Sequence, residues 1–324
     1  MDEDTLIETL FRPLATSPGA DGLADDAATF PGGEGDVVVT CDALAAGVHF
    51  FANDPPEAIA AKALRVNLSD LAAKGAKPFG YLLTLALGRG ATADWVGAFA
   101  ESLARDNARY GVDLLGGDTL RASEGGGTTV AITAFGRVPA GAAVRRRTAR
   151  PGDVVAVTGT IGDAALGLVG RLKDNPFALG AADAAVLAER YLYPDPPVAA
   201  WQAVQRYAGA AMDVSDGLVG DLLKMCRAAG VCAFVDVERV PHSPAVRTAI
   251  AHDAAARDIA LTGGDDYQVL ATMAPEALEG FRAACAKVGV EVSAIGEIGA
   301  GAPSVEVRFG GVVIPLRDGR FQHF

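Results

Sequence analysis

The sequence predicts an α/β or α+β protein built from two domains, and three observations lead there. Short β-branched runs alternate with stretches whose apolar residues recur at helical spacing. The 324 residues, 50 % of them hydrophobic, suffice for two separate cores. A small-residue connector, Pro139-Ala140-Gly141-Ala142-Ala143, precedes Arg145-Arg146-Arg147 and Arg150-Pro151-Gly152-Asp153. This stretch reads as a linker, so the domains are expected at 1–140 and 150–324.

In the first domain, the β-branched run 36–41 is expected as a strand that delivers Asp42 at its carboxyl end. Pro55-Pro56 suit the first turn of a helix reaching Ala73, with Ile59, Ala63, Val66, Leu68 and Leu71 at roughly helical spacing and Gly75 as the stop. Lys62, Val66 and Asp70 fall near one stripe of its surface. A strand at 81–87, a helix at 93–110 and a strand at 129–138 follow. Leu114-Leu115 leads into a Gly116-Gly117-Asp118 turn, and Gly125-Gly126-Gly127 marks a flexible loop.

In the second domain, strands are expected at 154–157, 210–214, 232–237, 267–272 and 290–298, with a hairpin joining 305–309 to 312–316 across Gly310-Gly311. Helices are expected at 163–172 and 218–229. Leu218, Leu222, Met225 and Cys226 share one face of the latter, and Ser215 or Asp216 is its expected cap.

Charge narrows the partners. Lys and Arg total 28 against 40 Asp and Glu, a formal charge of -12, which opposes attraction to nucleic acid or an anionic membrane. An anionic ligand would need metal ions to invert the local field. Cys41, Cys226, Cys232 and Cys285 form no CxxC pair, so neither a zinc site nor a disulfide framework is indicated, and a reducing cytoplasm is the simplest setting. The start Met1-Asp2-Glu3-Asp4 lacks the features of a signal peptide, and no apolar run approaches the roughly 18 residues that span a bilayer.

Carboxylates recur beside sheet-like runs and glycine turns: Asp25-Asp26, Asp42, Asp70, Gly116-Gly117-Asp118, Asp213-Val214-Ser215-Asp216-Gly217 and Gly263-Gly264-Asp265-Asp266. Magnesium takes one or two carboxylates and completes its shell with water and phosphate oxygens, so scattered aspartates can form one centre that holds a polyphosphate. Each also has a plainer explanation. The 213–217 segment fits a capped helix, the two Gly-Gly-Asp segments fit solvated turns, and Asp70 fits a surface pair with Lys74. His49, between apolar neighbours, fits a half-buried structural imidazole as well as a ligand contact. Gly159-Thr160-Ile161-Gly162 falls short of a dinucleotide fingerprint and reads as a strand-to-helix turn. No Walker or protein-kinase signature occurs.

These segments, in this order, resemble the thiamine-monophosphate kinase family of the aminoimidazole-ribonucleotide synthetase superfamily. The likeness runs from about residue 20 to the C-terminus. Further carriers are Gly47-Val48-His49-Phe50, Lys62-Ala63-Leu64, Asn67-Leu68-Ser69-Asp70 and Tyr267 after Asp266. The resemblance implies a two-domain fold of that superfamily, with an N-terminal sheet domain that binds ATP and magnesium and dimerises, and a C-terminal α/β domain. It implies ATP-dependent phosphorylation of thiamine monophosphate by a magnesium-dependent homodimer. By position, Asp26, Thr40, Cys41, Asp42, Asp70, Asp118, Asp213 and Asp216 would coordinate magnesium. Thr40 and Cys41 would do so through hydroxyl or main-chain oxygen, since a thiol is a poor magnesium ligand. Tyr110, Gly117, Asp118, Arg146 and Ser215 would contact ATP, and His49, Asp265 and Phe321 would hold thiamine phosphate. The chain departs from the family pattern at Leu23-Ala24, Cys41, Asp265 and Gln268.

The implied chemistry asks for no protein base. A phosphate monoester has a second pKa near 6, so at neutral pH it is already largely a nucleophilic dianion. Such a transfer needs alignment of two polyanions and neutralisation of charge on the moving group. Rival readings are a superfamily synthetase that uses ATP to activate an amide or carbonyl oxygen, and a scaffold that merely binds cations.

Overall fold

The computed structural model describes residues 7–16, 33–173 and 175–316. The chain divides into two compact units, one of residues 1–71 and 76–141, the other of 72–75 and 142–324.

The first unit is a four-stranded sheet with two long helices. Strands β1 (Asp36–Ala45), β2 (Lys77–Leu87), β3 (Asp113–Arg121) and β4 (Thr129–Val138) lie in the order β1-β4-β2-β3. β4 is antiparallel to both its neighbours, whereas β2 and β3 are parallel and therefore need a crossover, supplied by helix α2 (Ala93–Tyr110). Thr92 caps α2 by accepting from Trp95 N at 3.2 Å, and Gly111, at φ 65°, ends it in the left-handed conformation that glycine adopts without strain. Helix α1 (Pro56–Ala73) is tied to α2 by Arg65, whose guanidinium grips both oxygens of Asp106 at 2.7 and 2.8 Å.

Along β4 every second residue is buried: Val130, Ile132, Ala134, Gly136 and Val138. Leu83, Leu85 and Tyr81 stand opposite Ile132, Val130 and Ala134, and with fully buried Leu64, Leu68, Phe99 and Leu103 of the helices they form this unit's core. The alternate residues of β1 and β4 face the other way, where Val37 and Val39 are 39 % and 55 % exposed.

The second unit holds a seven-stranded sheet. Its strands are β5 (Val154–Thr158), β6 (Ala210–Asp213), β7 (Cys232–Asp236), β8 (Val269–Met273), β9 (Val292–Gly299), β10 (Ser304–Phe309) and β11 (Val312–Val313), in the order β11-β10-β7-β9-β5-β8-β6. Among the described strands of this sheet only β10 and β7 pair in parallel. Both faces are covered, which is why β6 and β8 are buried at every position. Val155, Val157, Met212 and Val214 join Leu218, Leu222 and Met225 of one helix (Leu218–Ala229) in one core. Ala156, Ala211 and Ala271, pointing oppositely, join Ala203, Val204, Phe281 and Cys285 in another. A third cluster packs Leu166, Leu187, Val246 and Ala260 among four further helices.

In chain order the remaining helices are α3 (Asp163–Leu172), α4 (Ala181–Leu192), α5 (Trp201–Tyr207), α6 (Leu218–Ala229), α7 (Pro244–His252), α8 (Ala255–Thr262) and α9 (Leu278–Ala286). Of these, α4, α5, α7, α8 and α9 are not legible from apolar spacing, because α5, α7, α8 and α9 are short and α4 is rich in alanine, which marks neither face.

Candidate active site

Asp26 and Phe321 lie outside the described residues. The remaining expected site residues fall into one set in each unit.

In the first unit, β1 pairs with β4 as far as Ala45 opposite Thr129, so Asp42 sits inside the strand rather than at its carboxyl end. Thr40 and Asp42, two residues apart, share the face opposite Ala134 and Ile132. The Thr40 hydroxyl donates to Asp70 of α1 at 2.5 Å, and Asp42 N donates to Asn67 Oδ1 at 3.0 Å. Asn67 is wholly buried and held in turn by the Ala63 carbonyl at 3.0 Å. The Lys62, Val66, Asp70 stripe therefore does not lie on the surface: Lys62 is 2 % exposed and its ammonium donates to the His49 carbonyl at 3.3 Å. Asp70 is committed to Thr40, and Lys74 donates to the Ala211 carbonyl at 2.9 Å, so the helix places the two on different partners. His49 is half-buried, with Nδ1 accepting from Ala45 N at 3.1 Å, which leaves the ring proton on Nε2 in the neutral form. Cys41 projects to the opposite face, where the Thr133 hydroxyl donates to its sulfur at 3.3 Å.

Gly116-Gly117-Asp118 is not a turn. The three residues lie within β3, and Asp118 stands exposed opposite Thr84. A Cβ on Gly117 would sit 1.8 Å from the Leu83 carbonyl, so glycine is what allows the strands to meet beside the irregular pairing at 81/82. Asp42 and Gly117 occupy one row through Ile132 and Leu83, on the two edge strands. Three interstrand spacings separate them, about 14 Å. Tyr110 closes α2 with its ring flanked by Arg109 and Arg65, whose guanidinium carbons lie 4.9 and 5.9 Å from the ring centre.

In the second unit two segments run side by side. β6 ends at Asp213, which is buried and paired with Val269, and Val214 N donates to the Gln268 carbonyl at 2.8 Å. Asp265 N then donates to the Ser215 carbonyl at 2.9 Å, and Tyr267 N to the Val214 carbonyl at 2.8 Å. Asp213, Ser215 and Asp265 are thereby brought together. Glycines permit the approach: a Cβ on Gly264 would lie 2.1 Å from the Ser215 carbonyl, and one on Gly217, at φ 105°, would lie 2.4 Å from the Thr262 carbonyl. Asp265 itself adopts φ 74° and accepts from the Tyr267 hydroxyl at 3.1 Å. Strain of this kind costs of order 1–3 kcal/mol and persists where surrounding contacts enforce it. Arg146 lies on an exposed helical turn (Arg146–Thr148) that packs against β6 and α6, anchored by the Thr148 hydroxyl on the Gly209 carbonyl at 2.6 Å.

Neither Ser215 nor Asp216 caps α6. Gly217 holds the cap position without a side-chain bond, and wholly buried Asp221 reaches back instead, its Oδ2 accepting from Ser215 N at 3.0 Å and Asp216 N at 2.8 Å. Burial pushes the Asp221 carboxyl upward against the lowering influence of Lys224. The sequence does carry a signal for this residue: Asp221 occupies the i+3 position of an apolar face that begins at Leu218. Asp266, whose role the sequence leaves open, is a buried support, accepting from Gly162 N at 2.7 Å and Ala164 N at 3.3 Å. Burial holds its carboxyl well above the usual carboxylate range. Gln268 is likewise internal, taking the Thr158 hydroxyl at 3.0 Å.

Magnesium can be tested against these donors. Among the described residues no three Asp, Glu, His or Cys side chains form a ready-made metal cage. The set nevertheless suits a hard cation that needs few protein ligands. Thr40 and Asp70 present oxygens 2.5 Å apart, and β1, as an edge strand, leaves part of its main chain outside the ladder.

Both units match known family models. Residues 24–138 match the N-terminal domain of AIR synthase related proteins and residues 150–308 the C-terminal domain. The class is therefore that of two-domain AIR synthase related proteins. A thiamine-monophosphate kinase of Caulobacter vibrioides is 42 % identical over 296 residues, 90 % of this chain and 82 % of that one. The crystal structure of thiamine-monophosphate kinase from Stenotrophomonas maltophilia K279a superposes with a TM-score of 0.81 at 36 % identity, covering 96 % of both chains. The structure described as AaThiL complexed with AMPPCP and TMP gives 0.76 at 29 % identity, over 93 % of this chain and 91 % of that one. The chain belongs to the thiamine-monophosphate kinase family.

Proposed function

We propose that the protein transfers the γ-phosphoryl group of ATP to thiamine monophosphate, forming thiamine diphosphate and ADP, as a cytoplasmic homodimer that uses magnesium. The observation that carries this reading is the junction of 213–217 with 263–267, where main-chain hydrogen bonds on a glycine-enabled contact join the segments that bear Asp213, Ser215 and Asp265. Family membership over nine-tenths of the chain supports it, as does the ATP analogue and TMP in a relative's structure.

A phosphate oxygen of thiamine monophosphate attacks the γ-phosphorus, the new P–O–P bond forms, and the bond to ADP breaks. The attacking oxygen already belongs to a dianion, so no side chain need take a proton. Thr40, Cys41, Asp42, Asp70, Asp118, Asp213 and Asp216, with Asp26, would hold magnesium, which when bound neutralises phosphate charge. Tyr110, Gly117, Asp118, Arg146 and Ser215 would position ATP. Asp265, with His49 and Phe321, would position thiamine phosphate, the carboxylate complementing the cationic thiazolium. The face of the four-stranded sheet that bears Val37, Val39, Phe79, Phe135 and Leu120 supports dimerisation, since apolar strand faces are normally covered. Because Asp42 and Asp118 stand on opposite edges, a second copy would bring its Asp118 to the β1 edge of the first. No helix of the described residues is long and apolar enough to cross a membrane.

Incubation with magnesium, ATP and thiamine monophosphate should yield thiamine diphosphate, and Asp213→Asn should abolish that product while leaving the circular dichroism spectrum unchanged. Absence of thiamine diphosphate beside an active control kinase would overturn the assignment.

A further inference from the structure

Lys224 joins the two acidic residues that shape the 213–217 segment. Its ammonium donates to Asp216 Oδ2 and, at 2.7 Å, to Asp221 Oδ1. The three groups differ in freedom. The Asp221 side chain is 0 % exposed and takes two main-chain amides besides the lysine, whereas Asp216 and Lys224 are 52 % and 38 % exposed. Asp221 cannot change partners without stranding a buried charge. Asp216 can.

We propose that Lys224 is a resident counter-cation for Asp216 which a magnesium ion must displace, so that this lysine sets the magnesium concentration at which the 213–217 segment loads. The inference rests on the reading of Asp216 as a magnesium ligand. A divalent ion and an ammonium on one carboxylate repel each other, and the lysine has somewhere to go. On losing Asp216 it keeps Asp221, one turn along its own helix, which remains paired throughout. A compact ammonium on a flexible stem suits this exchange better than the forked, bidentate guanidinium of arginine. The bond given up is an exposed ion pair of small net worth, so displacement costs little. Lys224 is a positioning residue here: it acts through Asp216 and needs no contact with substrate.

Magnesium is titrated calorimetrically into the full-length, nucleotide-free protein and its variants. Lys224→Met keeps the stem and removes the charge. Lys224→Gln serves as a second variant that still donates a hydrogen bond to Asp221. Both should lower the magnesium Kd by roughly threefold or more, the sign following from removal of a like charge beside the ion. Both should melt at a lower temperature than wild type without metal, with the gap narrowing as magnesium is added. In an Asp216→Asn background, Lys224→Met should leave the Kd where Asp216→Asn alone puts it. If Asp216→Asn binds magnesium as wild type does, the ligand assignment fails, and the inference with it. If Asp216→Asn weakens binding while neither lysine variant tightens it, the ligand assignment stands and the exchange is refuted. A lysine effect that persists without Asp216 also refutes it.

Discussion

His242 shows how a residue to which the sequence assigns no role records its surroundings. Its Nδ1 donates to the Ile161 carbonyl at 2.8 Å, while its Nε2 and Asp163 Oδ1 are buried without hydrogen-bond partners among the described residues. Burial pulls the imidazole below its usual value and outweighs the opposite influence of Asp163. The groups around it are Asp163, Arg247 and the hydroxyl of Thr160, which donates to Asp163. The folded protein therefore keeps His242 neutral at pH values where the unfolded chain is protonated. Its contribution is present above about pH 6.5 and is lost as pH falls through the lower folded value. His242→Gln, which can still donate to Ile161, should melt below wild type at pH 8, and the difference should shrink towards pH 5. A gap that stays constant over that range would show that the imidazole's charge is not what matters.

At the scale of elements, the junction between β6, α6 and the segment leading into β8 depends on glycine more than on side-chain attraction. Gly217→Ala forces a Cβ to within 2.4 Å of the Thr262 carbonyl at φ 105°. It should cost about 2–3 kcal/mol and reduce kcat by pushing Ser215 away from Asp265. Gly230→Ala is the control. It also has positive φ, at 70°, but its Cβ would meet nothing within 4 Å, so about 1 kcal/mol and unchanged kcat are expected. Urea unfolding with steady-state kinetics on both variants separates backbone strain from steric displacement. Equal effects on kcat would contradict the role given to the junction. Gly116-Gly117-Asp118 makes the same point. Composition reads as a turn because glycines usually mark one, whereas close strand approach needs them just as much.

For the whole molecule, the edge positions of β1 and β3 make a quantitative claim about shared sites. In the proposed homodimer, Asp42→Asn and Asp118→Asn should each be inactive. Mixing them under subunit exchange should restore about a quarter of wild-type activity, because half the dimers are hybrids and each hybrid carries one intact site of two. No recovery on verified exchange would place both carboxylates in a site built from one subunit. Val39→Lys on the apolar sheet face should shift the species seen by size-exclusion chromatography towards the monomer, by burying a charge at the proposed interface.

The sequence by itself determined the class of chemistry and most strands. Carboxylates, glycines and β-branched runs are local signals, and their order along the chain was enough to identify the family. It also singled out Asp213, Ser215 and Asp265, each for a different ligand: magnesium, ATP and thiamine phosphate. Only the tertiary structure decided that Asp42 sits within a strand, that Asp118 stands at the opposite sheet edge, and that buried Asp221 rather than Ser215 or Asp216 secures the start of α6. The reason is physical. Strand ends, edges and burial depend on which distant segments pair, and a carboxylate on an apolar helix face acquires its meaning from the amides and the lysine that folding brings to it.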